Sequence, residues 1–200
     1  MDYRSMKKVA ASILVLGALT SCSDMLVNTP GIEYKKSNTI MLSVNNLQVI
    51  SVPNTVDSKN KHVLEENKIF HEEAEKWAHR RFAAQGGVDR AVLIITKAKI
   101  RLMRENGHSE DHYEGMIHAT LDILDDRGMA RARISGDVDL KVNIPDTFTI
   151  HEKRAQVKKM RQDLINALDA KMVKEISQHM MAFTNVMPSE NVMPLAAPAA

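Results

Sequence analysis

The fold is set by residues 113–142, which read YEGMIHATLDILDDRGMARARISGDVDLKV. Apolar and polar side chains alternate on both sides of a short, Asp-rich segment. Alternation of period two over this length is typical of β-strands that have one buried and one solvated face. The segment predicts two antiparallel strands whose buried positions are Tyr113, Gly115, Ile117, Ala119, Leu121 and Ile123 in 113–124, and Ala130, Ala132, Ile134, Gly136, Val138, Leu140 and Val142 in 130–142.

The turn between these strands fixes a predicted register. Residues 125–128, DDRG, are of the types that favour a tight turn. If Leu124 pairs with Met129, Asp122 lies opposite Arg131, and apolar residues face apolar ones. A slip by one residue would place each apolar set against a polar one.

Two further strands precede this hairpin. The run rich in Val, Ile and Leu at 42–52 predicts a first strand, which Pro53 stops. Alternation at 92–102 predicts another strand, with its apolar set at Val92, Ile94, Ala98, Ile100 and Leu102.

Two helices complete the pattern. A first helix is predicted from about Leu64 to Ala84, ended by Gly86-Gly87. A second begins at the capping box Thr149 to Glu152 and runs to about Phe183. The apolar residues of both follow the helical period, and they are Phe70, Ala74, Trp77, Ala78 and Phe82 in the first helix and Val157, Met160, Leu164, Leu168, Met172, Ile176 and Met180 in the second.

This order of elements predicts an α+β fold. A meander that is wet on one face needs both helices on the other. We expect a two-layer sandwich with an antiparallel sheet of about four strands and two helices on one face, the long one C-terminal. The domain should cover 40–185, followed by a disordered tail at 186–200 that contains Pro188, Pro194 and Pro198.

The N-terminal segment predicts where the domain resides. Lys7 and Lys8 precede an apolar run at 9–19 that is too short to span a bilayer, and Leu-Thr-Ser-Cys follows at 19–22. This segment resembles a bacterial lipoprotein signal peptide, with the start at Met1 or Met6. An ordinary secretory leader or an uncleaved anchor are the alternatives.

The resemblance implies that residues 1–21 are removed and that Cys22, the lipid attachment site, becomes the first residue. The acyl chains would hold the protein in the membrane, because two or three chains give stable anchoring. Residues 22–39 would form a tether to a periplasmic domain. Ser23, where an aspartate would cause inner-membrane retention, implies the outer membrane, on its periplasmic side.

Charge and cysteine content exclude several classes of function. Removing residues 1–21 leaves 24 basic and 24 acidic residues. The remaining chain has no surplus of positive charge that would predict nucleic acid as a partner. Cys22 is the single cysteine, so with Cys22 acylated no thiol is left for a disulfide or a thiolate site.

The sequence contains one group of metal-ligand types, His108, Asp111 and His112. The spacing does not match the usual structural zinc patterns, and we interpret the group as a solvated loop without a tight metal site. His71-Glu72-Glu73 lies on the polar side of the first helix, where a solvated face is expected. We predict no catalytic residues, no enzyme activity and no cofactor.

The order of elements is similar to the small periplasmic lipoproteins that assist lipopolysaccharide assembly or serve as auxiliary subunits of lipid-transporting ABC systems. A second resemblance is to a family of outer-membrane-type lipoproteins without assigned activity, and it is carried by Ala74-x-x-Trp77-Ala78-x-x-Arg81, Gly86-Gly87, Asp125-Asp126-Arg127-Gly128, Asp163-Leu164 and Leu168-Asp169. Neither resemblance transfers catalytic residues.

Two functions follow as hypotheses. The first is a lipid-anchored, non-catalytic binding or assembly module that docks on an envelope protein complex through a strand edge or the long helix. The second is a carrier of lipid or another apolar ligand, or an envelope hydrolase, with a pocket between helix and sheet. The second is suggested by Met160, Met172, Met180 and Met181.

Overall fold

A computed structural model describes residues 38–53, 60–103 and 110–184. The predicted leader, Cys22, residues 22–37 of the tether and the tail lie outside these ranges. The elements are β1 (Ile40–Leu42), β2 (Asn46–Ser51), α1 (Lys61–Arg81), β3 (Phe82–Ala84), β4 (Arg90–Met103), β5 (Glu110–Leu124), β6 (Ala130–Pro145), α2 (Ile150–His179) and a 3₁₀ turn (Met181–Phe183).

The main sheet has the strand order β2-β4-β5-β6, and both helices bury their apolar stripes in one core with it. The predicted α+β class is confirmed. The sheet is mixed rather than wholly antiparallel, because β2 runs parallel to β4 while β4, β5 and β6 form an antiparallel meander. The helical connection through α1 is long enough for the crossover that a parallel pair requires.

The predicted first strand and first helix are each divided differently in the structure. The strand is broken at 43–45 into β1 and β2, and α1 ends at Arg81 instead of Ala84. Phe82–Ala84 is extended and pairs with β1 as a small parallel sheet. These residues therefore exchange helical hydrogen bonds for strand pairing, and the predicted glycine cap at Gly86-Gly87 is wrong. Gly87 (φ 150°) lies instead in the next loop, where a Cβ would be 2.5 Å from the Ser43 carbonyl oxygen.

A β-bulge corrects the predicted faces of β4. The pairing of β4 with β5 shifts between Ile95 and Lys97, which inserts Thr96 as an extra residue. An extra residue reverses the phase of alternation. Leu93 and Ile95 are therefore buried, whereas Val92 and Ile94, assigned to the apolar set from sequence, are half-buried on the opposite face. After the bulge, Ala98 and Ile100 are buried as predicted.

The β5–β6 register differs by two residues from the prediction. Asp122 lies opposite Arg133, not Arg131, and the pairing shifts again between Ile123 and Leu124. One of the two residues comes from a longer turn, in which the Asp125 N–H donates to the Met129 carbonyl (2.9 Å) and Asp125 Oδ1 accepts from the Met129 N–H (2.8 Å). The other is Arg131, which the pairing passes over as a bulge. Because the difference is even from Ala132 to Val142, these side chains keep their predicted faces. Ala130, predicted to be buried, pairs with Leu124 instead and is exposed.

Helix α2 lies very close to the sheet at two glycines. A Cβ on Gly115 would be 2.5 Å from Leu164 Cδ1, and one on Gly136 would be 2.6 Å from Leu168 Cδ1. The predicted capping box at Thr149 is present, and the predicted stripe of α2 is buried throughout. Because Gly115 and Gly136 have no side chain, α2 can pack directly on the sheet at these two residues. Neither α1 nor α2 contains a run apolar enough to cross a bilayer.

We expect Gly136→Val to lower the free energy of unfolding by about 2–3 kcal/mol, because its side chain would displace Leu168 from a packed core. Urea denaturation followed by circular dichroism measures this. Ser135→Ala, one residue along on the exposed face, serves as the control and should change stability by less than about 0.5 kcal/mol. Adding Leu168→Ala to Gly136→Val should cost less than the sum of the single changes, and strict additivity would contradict the proposed contact.

Candidate functional site

Asp111 and His112, the described members of the group of metal-ligand types, lie in β5 rather than in the predicted solvated loop. His108 lies outside the described residues. Asp111 is 4% exposed and accepts from Lys153 Nζ at 2.7 Å. His112, the next residue of the strand, bonds Asn143 Oδ1 at 2.8 Å. Adjacent residues of a strand project to opposite faces, so Asp111 and His112 do not share a site.

Helix α1 carries a shallow cavity of about 370 Å³ beside the end of β2. His71, one of its lining residues, bonds the Ser51 hydroxyl at 3.0 Å. Asn67, a second lining residue, is buried. Its side-chain amide donates to the Ile100 carbonyl and accepts from the Ile100 N–H, both at 2.8 Å, so both of its polar atoms are hydrogen-bonded. Asn67 thus replaces a neighbouring strand where β2 stops, and it is a structural residue rather than a ligand-binding one.

The strongest concentration of buried charge lies between the two helices. Arg161 of α2 is 4% exposed and bonds Glu73 Oε2 through Nε at 2.8 Å. It also donates through Nη1 to Glu66, itself 5% exposed. Glu73, predicted from sequence to be solvated, is therefore an inter-helix contact. Arg161 follows Val157 by one helical turn on the apolar stripe of α2. A charged residue at a position where an apolar one is expected is the sequence signal that could have revealed this cluster.

The electrostatics of the cluster follow from one positive charge that faces two carboxylates. Arg161 neutralises the more buried Glu66, and burial raises the pKa of the Glu73 carboxyl to about 7 against the opposing charges of Lys158 and Lys76. Burial likewise lowers the pKa of His62, whose Nδ1 lies 3.8 Å from Glu66. The Glu73 carboxyl lies between the two helices. It contacts Arg161 and does not face a cavity.

A second ionic group holds the start of the domain. Arg81, the last residue of α1, bonds Asp169 of α2 through Nε at 2.6 Å and donates through Nη1 to the Asn38 carbonyl. Trp77 Nε1 donates to the same Asp169 carboxylate at 3.0 Å. The first described residue is therefore fixed to both helices. We call Asn38, Trp77, Arg81 and Asp169 the tether junction.

The last described residues return to the same end of the domain. The Ser43 N–H donates to the Phe183 carbonyl at 2.8 Å, and Thr184 forms an antiparallel bridge with Leu42. The Phe183 ring lies 5.4 Å from the guanidinium of Arg131, which pairs with Asp89 at 2.7 Å. Both ends of the described chain thus leave at one pole, beside β1.

Two surfaces of the main sheet are open within the described residues. One is the face turned away from the helices, which bears the bidentate pair of Arg133 with Asp122, at 2.5 and 2.9 Å. The other is the outer edge of β6, with which no described strand pairs. Lys171 Nζ donates to the Asp137 carbonyl of β6 at 3.0 Å. A backbone carbonyl of β6 thus accepts a hydrogen bond from a donor outside β5.

The methionines that suggested an apolar-ligand site belong mainly to the core. Met160 and Met172 pack over Gly115 and Gly136, and Met180 is buried. Met181 is the exception, half exposed at the pole. The geometry of these residues is that of gap filling beneath α2.

No protein-family model matches the chain, and no curated protein is similar to it in sequence. Similar solved structures include bacterial lipoproteins. A minor lipoprotein from Acinetobacter baumannii superposes with a TM-score of 0.39 and 15% identity, over 68% of this chain and 93% of that one. A lipoprotein from Neisseria meningitidis gives 0.26 and 7%, over 60% and 98%. At this level of similarity the function must be argued from the residues of this chain.

Asp169→Ala should lower the free energy of unfolding by about 2–3 kcal/mol, because it leaves the nearly buried Arg81 and Trp77 without their shared acceptor. Trp77 is the single tryptophan, so its fluorescence during urea unfolding reports both stability and the local change. Lys159→Ala, which removes an exposed pair with Asp163, should cost less than about 0.5 kcal/mol. An equal effect of the two changes would contradict the role given to the tether junction.

The raised pKa of Glu73 predicts a pH-dependent stability. The folded chain favours the protonated carboxyl, so this contribution is complete below pH 4.5 and is lost as the pH rises through about 7. Glu73→Gln stays neutral, so relative to the unmodified chain it should gain about 1–2 kcal/mol between pH 4.5 and 8, discounted for partial exposure. Urea unfolding at several pH values tests this. A pH-independent Glu73→Gln difference would be the contrary result.

Proposed function

We propose that this protein is a lipid-anchored envelope lipoprotein whose domain acts as a non-catalytic binding or assembly module. The observation that carries the proposal is Leu19-Thr20-Ser21-Cys22 at the end of a short apolar run. Acyl chains on Cys22 would provide a stable membrane anchor. Ser23, directly after this cysteine, favours the outer membrane, with the domain in the periplasm.

The tether junction supports this proposal. Asn38 lies 16 residues after Cys22. A fully extended chain of that length spans about 53–58 Å at most. Arg81 and Asp169 fix the chain from Asn38 onward to both helices. The anchor would therefore confine the domain to a layer near the membrane. Such confinement raises the effective concentration of the domain for a membrane-bound partner.

The described side chains favour binding over catalysis. The two helices use their buried charges on each other, as Arg161 does with Glu66 and Glu73. The open face of the sheet and the outer edge of β6 offer area for a protein partner instead. An envelope protein complex is the partner class that fits a tethered module.

Lipidation is tested by labelling cells with a palmitate analogue and by separating their membranes. We expect the unmodified chain to carry label and to sediment with outer membranes, and Cys22→Ala to lose the label and the membrane fraction. Ser23→Ala, beside the modified cysteine, should behave as the unmodified chain does. Label that persists in Cys22→Ala would exclude Cys22 as the acylated residue.

The assembly role is tested separately by crosslinking in intact cells, followed by purification of the acylated chain and of Cys22→Ala. Recovery of one defined envelope complex with the acylated chain alone is the expected result. A lipopolysaccharide-assembly or lipid-transport complex in that fraction would identify the pathway. If neither form recovers a specific partner although Cys22 is labelled, the chain is a lipoprotein but the assembly role is wrong.

A further inference from the structure

Three loops at the pole beside β1 carry exposed apolar side chains. Val88 lies in the loop before β4, Met129 in the turn between β5 and β6, and Met181 in the 3₁₀ turn after α2. Their exposed fractions are 81%, 67% and 50%, and the first two are the highest of any large apolar side chain that the structure describes. We call residues 85–89, 125–129 and 181–183 together the loop end. Exposed apolar residues gathered in one place mark a surface that binds a protein or a membrane.

Contacts of Arg131 hold the three loops side by side. Arg131 follows Met129 by two residues and pairs with Asp89, in the loop before β4, at 2.7 Å. Its guanidinium also lies 5.4 Å from the ring centre of Phe183, the last residue of the 3₁₀ turn. One arginine thus links the turn between β5 and β6 to the two other loops. The three apolar side chains therefore belong to a single end of the domain.

The described chain begins near the loop end. Asn38, its first residue, precedes Ser43 by five residues, and the Ser43 N–H donates to the Phe183 carbonyl at 2.8 Å. Five extended residues span about 17 Å, whereas the 16 residues of β6 carry the sheet about 50 Å away from the loop end. The tether from Cys22 thus joins the domain much closer to the loop end than to the opposite end, where β4 ends and α2 begins. Of these two ends, the loop end is the one that a lipid anchor holds near the bilayer.

The charged residues of the loop end suit a layer of lipid headgroups. Exposed arginines lie in these loops and directly after them, namely Arg90, Arg127 and Arg131. Most of the carboxylates are engaged within the domain, because Asp89 is buried against Arg131 and Asp125 accepts two backbone N–H groups of its own turn. Asp126 is the exposed carboxylate of these loops. An arginine can lay its apolar stem along the hydrocarbon boundary while its guanidinium meets a phosphate group.

We infer that the loop end is a membrane-docking surface, which rests on the bilayer that holds the acyl anchor. This inference rests on the proposed function, since the anchor supplies the bilayer, and it deepens that function by assigning the surface that faces the lipid. Lipid is the occupant rather than a protein, because the tether brings the bilayer to this end in every copy of the chain. Val88, Met129 and Met181 enter the headgroup layer, with the arginines at the level of the phosphates. The opposite end of the domain is then left for an envelope protein complex.

Docking is tested with the acylated full chain in vesicles of phosphatidylethanolamine with a minor share of phosphatidylglycerol. The acyl chain on Cys22 blocks its thiol, so Met129→Cys takes a thiol-reactive fluorophore at one site. Ile150→Cys is the matched control, because Ile150 is an apolar residue that is 54% exposed at the start of α2. We expect lipids with a nitroxide near the headgroup to quench the label at position 129 at least tenfold more than the label at position 150.

The apolar side chains are tested by adding Val88→Asp and Met181→Asp to the labelled Met129→Cys chain. Quenching of the label should fall at least fivefold, because a carboxylate disfavours entry into the anionic headgroup layer. Met103→Asp and Ile150→Asp make the same change of net charge at two exposed apolar positions of the opposite end, and they should leave the quenching unchanged. Circular dichroism checks that both variants are folded, and the comparison of the labels at positions 129 and 150 needs neither variant.

Flotation of the vesicles separates this inference from the anchor on which it rests. An acylated chain that does not float with the vesicles would overturn the proposed anchor and the docking surface with it. A chain that floats, but whose labels at positions 129 and 150 are quenched equally, would overturn the docking surface alone and leave the anchored role standing. Equal losses of quenching with the two pairs of aspartates would also overturn it, and the exposed side chains of the loop end would then belong to a protein interface.

Discussion

The rest of the structure depends on the close approach of α2 to the sheet at Gly115 and Gly136. Because neither residue has a Cβ, Leu164 and Leu168 can occupy the space directly above β5 and β6. This contact sets the height and the direction of the helix. It also sets which residues of α2 reach α1, since residues three or four positions apart share a helix face. Arg161 and Asp169 are placed at the helix interface in this way.

The charged residues at that interface specify the packing more than they strengthen it. Transfer of Arg161 and Glu66 out of water is costly, and their attraction offsets that cost only with good geometry. Apolar packing of α1 and α2 on the sheet provides the driving force. Arg161 then favours the one arrangement of the two helices in which both Glu66 and Glu73 bond to it. Burial of the Glu73 carboxyl between the helices raises its pKa.

Periodicity in the sequence predicted the elements whose patterns are local. The stripe of α2, the capping box at Thr149 and the buried face of β5 are confirmed. Features set by pairing with distant residues were missed. Phe82–Ala84 has a helical pattern, yet pairs with β1, and no local signal marks the bulge at Thr96. The two-residue error at Asp122 has two sources. Asp125 accepts two backbone N–H groups and lengthens the turn by one residue, and Arg131 is an extra residue in β6.

The candidate site was predictable to a different extent. The Leu-Thr-Ser-Cys segment is a local signal, readable without a structure, whereas the tether junction depends on contacts across about 90 residues, between Arg81 and Asp169. Composition does not disclose such pairs.

The placement of β1 has a mechanical consequence. A pull on the chain before Asn38 would act nearly along the axis of β1, across hydrogen bonds to β3 on one side and to Thr184 on the other. Bonds loaded across their length in this way share the force and must break together, unlike those of a hairpin opened from one end. Arg81 would share the load through its bond to the Asn38 carbonyl. A pull at this pole would thus load the hydrogen bonds of β1 in shear, which is the geometry that resists tension best.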